Sequence, residues 1–229
     1  DFRPDRRNTM TDLRLNHPAR ADDPELPDVP VPPGPEPQEQ GENKAFTSPI
    51  NELESRLLRQ RKVLVFGAID DKVARDVTGR LLALAADPGP IDVYVNSPGG
   101  HVESGDTIHD MIRFVDAVAP VRVIGTGWVA SAGALIFLAG AKNRRLCLPN
   151  TRFLLHQPMG GVRGPATDIN IEAIEIIKMR ERINRIIARE TGQPLEKVER
   201  DTDRNYWMSA EEAVAYGMVS RIITDLKGL

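Results

Sequence analysis

A serine and a histidine 25 positions apart, Ser131 and His156, are the residues of this chain best suited to covalent chemistry. Ser131 stands in Gly-Trp-Val-Ala-Ser-Ala-Gly-Ala, where an apolar run changes from strand-like to helix-like. A serine on a strand-to-helix turn is how several hydrolases present a nucleophile. His156 closes the run Phe-Leu-Leu-His, and Gln-Pro then breaks the strand. An imidazole at the mouth of a buried strand is placed to act as a general base. Each residue alone also has a structural explanation: Ser131 as a small residue in a packed turn, His156 as a hydrogen-bonded interior histidine. The Gly-x-Ser-x-Gly elbow is not met, because position 129 is Val, so an α/β-hydrolase is not supported. A third segment, Asn96-Ser97-Pro98-Gly99-Gly100, follows a strand-like run. Paired glycines let a backbone approach a ligand closely and aim N–H groups at an oxyanion, and they equally suit a tight turn.

The elements that must position these groups follow from hydrophobic periodicity. The pattern predicts an amphipathic helix over 50–60 and a strand over 62–66, whose continuous run Val63, Leu64, Val65 suits burial on both faces. Residues 69–86 form a helix with Val73, Val77 and Leu81 on its apolar side. Strands follow at 91–95, 121–124 and 152–155, with helices at 104–115 and 131–139. A long helix spans 167–191, with Ile169, Ala173, Ile176, Ile177, Ile183 and Ile187 as its apolar stripe. Gly192 and Pro194 end it. At about 1.5 Å per residue it is roughly 36 Å long, enough to project and pack on another subunit. Ser209-Ala-Glu-Glu212 is a capping-box pattern opening a last helix, and a strand over 218–223 follows. Strands alternating with helices indicate an α/β fold with a largely parallel sheet.

Composition narrows the function classes. The net charge of -3 argues against a dedicated nucleic-acid binder. One cysteine, Cys147, excludes an internal disulfide and a cysteine-based metal cluster, and fits a reducing, cytoplasmic setting. No histidine pair has metal-ligand spacing, so neither metal nor cofactor is expected; His101 and His109 are expected as surface or packing residues. The charged first residues carry no secretory pattern, and Met10 is an alternative start. Residues 123–141 carry no charge, but four glycines and a Gly-x-Gly turn mark them as a buried strand and helix rather than a membrane span. Nine of the 18 prolines fall in residues 1–44, which are expected to form a disordered, Pro-rich acidic tail ahead of a single domain over 45–229.

Taken in order, Ser-Pro-Gly-Gly, then Ala-Ser-Ala-Gly-Ala, then Leu-Pro-Asn-Thr-Arg-Phe-Leu-Leu-His-Gln-Pro-Met-Gly-Gly resemble the proteolytic subunit of the Clp protease, ClpP. The likeness continues through Gly164-Pro-Ala-Thr-Asp168 and Glu199-Arg-Asp-Thr-Asp-Arg204 to Met208-Ser-Ala-Glu-Glu-Ala-Val-Ala-Tyr-Gly217, covering residues 53–223. It implies a ClpP/crotonase-like α/β fold of repeated β-β-α units with a projecting long helix, the handle between two rings. It implies a serine endopeptidase that cleaves unfolded polypeptides inside stacked heptameric rings fed by a Clp ATPase, with no nucleic-acid or membrane partner. Ser131 would be the nucleophile, His156 the general base and acid, and the N–H groups of Gly100 and Ala132 the oxyanion hole. Gly160 and Gly161 would pair with an extended peptide substrate. Tyr94 and Phe114 match positions of the family's hydrophobic docking clefts. A crotonase-type acyl-CoA enzyme is disfavoured by the Ser131–His156 pair.

The chain departs from that family at its third triad position, where an aspartate is usual and Asn205 stands. An asparagine can orient a histidine but cannot offer an imidazolium a full negative charge. Reduced or conditional activity is therefore expected, with a weakly active or non-catalytic subunit of a mixed ring as the alternative. Asp203 is a candidate substitute. Trp128 is expected to narrow the pocket mouth near Ser131. The family's apolar N-terminal loop is replaced by the Pro-rich segment.

Overall fold

The structure, a computed structural model, describes residues 49–229, and these belong to one compact unit, Phe46–Leu229. The segment expected to be a tail, 1–44, lies outside the described residues. Helix α1 (Pro49–Arg59) leads into strand β1 (Lys62–Phe66). Then come α2 (Asp71–Ala85), β2 (Ile91–Ser97), α3 (Val102–Asp116), β3 (Val121–Ala130) and α4 (Ala132–Phe137). Strands β4 (Arg145–Cys147) and β5 (Arg152–Leu155) precede the long α5 (Ala166–Thr191). The chain ends with α6 (Leu195–Asp201), β6 (Tyr206–Met208), α7 (Ala210–Tyr216) and β7 (Arg221–Ile222).

The sheet runs β1-β2-β3-β4-β7, with every pair on this path parallel. Such pairing needs crossovers, and the helices between strands supply them. Val63, Val65, Val93 and Val95 point to one core with Val77 and Leu81 of α2 and Ile108 and Ile112 of α3. On the other face Ile124, Leu146 and Ile223 form a small second cluster against Tyr94. Strand β1 is not buried on both faces as its apolar run suggested: Val63 and Val65 face the core, while Leu64 and Phe66, on the alternate face, are exposed.

Strand β3 is the organising element. Its first half pairs with β4 through Val123, Ile124 and Gly125. Its second half leaves β4 and pairs with β5 through Trp128, Val129 and Ala130. The switch falls at Gly125-Thr126-Gly127, with Gly127 at φ +60° and a register shift against β2 between Val95 and Ser97. Those glycines made the strand look four residues long in the sequence; they bend it instead of ending it. The charge-free run thus folds as the end of β3 and α4. Among the described residues, no helix is long and apolar enough to cross a membrane.

Helix α5 is anchored at its C-terminal half, where Asn184 and Ile187 are buried, and it ends at Gly192 in the left-handed region, φ +81°. Fully buried Arg145 donates to the Glu190 carbonyl in its last turn at 2.7 Å, a favourable place for a cation. The first half does not face this core: Ile169, Ile171, Ile174 and Ile177 are all exposed. The capping box opens α7 as expected, Ser209 N donating to Glu212 Oε2 at 2.7 Å and Glu212 N to Ser209 Oγ at 3.2 Å.

Candidate active site

Ser131 lies between β3 and α4 at φ +55°, ψ −122°, outside the regions an L-residue prefers. Such a backbone costs on the order of 1–3 kcal/mol and persists only where its surroundings enforce it. They do so here on both sides. Ser131 N donates to Leu154 O of β5 at 3.0 Å, and Ser131 O accepts from Ala134 N and Leu135 N at 2.9 and 3.2 Å. The hydroxyl makes no side-chain hydrogen bond within the described residues, so it is available for reaction.

The Gly99-Gly100 turn passes directly beneath. A Cβ on Gly99 would lie 2.5 Å from Ser131 Cβ, and one on Gly100 would lie 2.2 Å from Ile69 O. Both have positive φ, +98° and +152°, so close approach and backbone conformation each require glycine. Among the described residues, neither Gly100 N–H nor Ala132 N–H donates to another protein group. Backbone N–H groups without a protein partner are the kind of donor a developing oxyanion needs.

His156 follows β5. Its Nδ1 is 3.1 Å from Asn205 Oδ1, across 49 residues of sequence. An amide oxygen only accepts, so Nδ1 carries the proton and Nε2 is left with a free lone pair, the tautomer a general base requires. Ser131 and His156 line one apolar cavity with Val102, Leu135, Leu155 and Ile183, without a direct hydrogen bond between them. Trp128, three residues before Ser131, is exposed and does not line this cavity. Cys147 is no alternative nucleophile: it is buried in β4, and burial pushes its thiol up to about 12.

What brings Asn205 to His156 is Gln157, which the sequence marks only as part of the Gln-Pro strand break. Its backbone N donates to Thr202 O at 2.6 Å and its side-chain Nε2 to Asp203 O at 2.8 Å. Thr202 is itself buried, its Oγ1 placed 3.0 Å from Asn184 Oδ1 of α5. Asp203 does not replace Asn205: its carboxylate takes Arg180 of α5 at 3.2 Å and makes no bond to His156. Gly160 and Gly161 lie beyond, exposed and in no regular element. Gly160 borders an open groove also lined by His156, Gln157, Asp203 and Asn205. A Cβ there would lie 2.9 Å from Ile176 Cδ1 of α5. Phe114 is exposed on α3.

The model of the Clp protease family matches residues 47–225. The ATP-dependent Clp protease proteolytic subunit 2 of Gluconobacter oxydans is 74% identical over 206 residues, 88% of this chain and 92% of that protein. The subunit 2 of Pseudomonas aeruginosa is 56% identical over 169 residues, 73% of this chain and 83% of that protein. Among solved structures, an asparagine-to-aspartate mutant of ClpP1 from Listeria monocytogenes superposes with a TM-score of 0.71 at 51% identity, covering 77% of this chain and 98% of that one. With the strained serine turn, the apolar cavity and a parallel sheet followed by one long helix, this chain belongs to the Clp protease family, as a serine-type proteolytic subunit.

Proposed function

We propose that Ser131, His156 and Asn205 carry the peptidase reaction, with the Gly100 and Ala132 N–H groups as the oxyanion hole. The observation that carries this reading is the Nδ1–Oδ1 contact of His156 with Asn205, made while His156 shares a cavity with Ser131. His156 Nε2 takes the hydroxyl proton as Ser131 Oγ bonds to the peptide carbonyl carbon. The carbonyl oxygen becomes an oxyanion between the two free N–H groups. Collapse of the tetrahedral species breaks the C–N bond, and the same imidazole returns its proton to the leaving amine. Water then releases the acyl group by the reverse sequence. The apolar cavity takes an apolar side chain of an extended polypeptide, which Gly160 and Gly161 support by backbone pairing.

Asn205 holds the tautomer but adds no negative charge opposite the imidazolium, so turnover is slower than an aspartate would allow. The exposed isoleucines of α5 suit burial against another copy, in stacked heptameric rings working with a Clp ATPase. A fluorophosphonate probe tests the reading: labelling of the assembled protein at Ser131, abolished in Ser131→Ala, is expected. An assembled ring that takes no label would leave this chain a structural subunit of a mixed ring.

A further inference from the structure

His101 directly follows Gly100, and its side chain belongs to a group of residues that the reaction above does not use. Its Nδ1 lies 2.8 Å from Ser104 Oγ, which donates to Asp71 Oδ1 at 2.5 Å. Its Nε2 lies 3.1 Å from Glu103 Oε2. Serine, histidine and carboxylate together suggest a second nucleophile, but the wiring is reversed. The hydroxyl proton goes to the carboxylate rather than to the imidazole, and Ser104 is buried. With its only proton on Asp71, Ser104 Oγ offers His101 a lone pair, so Nδ1 is the donor. The chain of bonds runs from His101 through Ser104 to Asp71 and ends there, as a staple.

What it staples is the Gly99-Gly100 turn. Ile69 N donates to Gly99 O at 2.9 Å, and His101 N donates to Ile69 O at 2.9 Å. Asp70 then caps α2, and Asp71 is its first residue. The backbone clamp at Ile69 and the side-chain clamp at Asp71 therefore grip the same short stretch from two directions, with Gly100 inside. Glycine has no Cβ to restrict its own dihedrals, so the direction of its N–H depends on such neighbours. We infer that His101 is a positioning residue for the oxyanion site, holding the Gly100 N–H on the reacting carbonyl through Ser104 and Asp71. This rests on the reading of Gly100 as an oxyanion donor. His101 is 54% exposed, so its pairings contribute little to folding. Their effect falls on the aim of one N–H, and variants should fold and assemble.

The test uses the full-length assembled protein and a peptide boronic acid, whose boron bonds to the serine oxygen as the hydroxyl proton passes to the imidazole, so that a hydroxyl oxygen of the tetrahedral boronate anion sits in the oxyanion hole. In His101→Ala, kcat is expected to fall about tenfold with KM within about twofold, a part of what losing an oxyanion donor costs. Boronate affinity is expected to fall by the same factor. His101→Asn, whose amide can donate to Ser104 Oγ, is expected to restore most of both. Unchanged kcat and boronate affinity in His101→Ala, a loss in KM alone, or no rescue by asparagine would each overturn the inference while leaving catalysis at Ser131 intact. If the boronate forms no adduct on the unmodified protein, both readings fall together.

Discussion

Gln157 does two jobs with one residue: its backbone and its amide each hold the loop that carries Asn205. Replacing it with alanine removes the side-chain bond to Asp203 O and loosens a contact 3.1 Å long on which the histidine tautomer depends. Gln157→Ala is expected to lower kcat about tenfold, the scale of effect that misplacing a general base produces, with KM little changed. Steady-state kinetics on a short peptide would show it; a change confined to KM would instead place Gln157 in substrate binding. Ser131, His156 and Asn205 were legible as residues because short motifs surround them. Their meeting was not, because hydrogen bonds spanning 46 and 49 residues leave no local pattern. Nor was the strain at Ser131, which comes from Leu154 on one side and α4 on the other. Asp203 was a candidate substitute for Asn205 in sequence; the His156 contact of Asn205 and the Arg180 pairing of Asp203 separate them.

At the scale of elements, the strands and helices with clean periodicity were legible to within a few residues, including α5 and the capping box of α7. The short pieces were missed: β4, α6 and β6 are three, seven and three residues long and carry no complete period. The extension of β3 was missed because two glycines imitate a turn. Helix α3 meets α4 through a group expected as a surface or packing residue: buried His109 donates from Nδ1 to Leu135 O at 2.8 Å. Burial holds its pKa below the ordinary 6.5, with the bond to Leu135 opposing. The folded state therefore keeps His109 neutral while the unfolded chain takes up a proton below pH 6.5. Its stabilising contribution is present above that pH and is lost as pH falls below it, by at most about 1.4 kcal/mol per pH unit. Urea midpoints at pH 7.5 and 5.5, at one protein concentration, are expected to differ more in the unmodified protein than in His109→Gln. Equal pH dependence in the two would remove His109 from the account.

For the molecule as a whole, the α5 surface is the feature a single chain does not explain. Four isoleucines in the first half of one helix stay exposed while the second half packs well. Ile177→Glu is expected to convert stacked rings to smaller species on light scattering, since a charge cannot be buried there without a partner. An unchanged assembly would mean that this face is not the ring-to-ring contact. The exposure was half legible: the length of the helix announced a projection, but its stripe was continuous in sequence and did not show where the core stops. All of this serves one arrangement, a histidine held by a neutral amide beside a strained serine. The decisive measurement is peptidase kcat/KM of Asn205→Asp against the unmodified protein, both in the same assembled state. The account predicts a rise of at least about tenfold, because the carboxylate keeps the Nδ1–H contact and adds charge opposite the imidazolium. Equal or lower activity in the aspartate variant would contradict it.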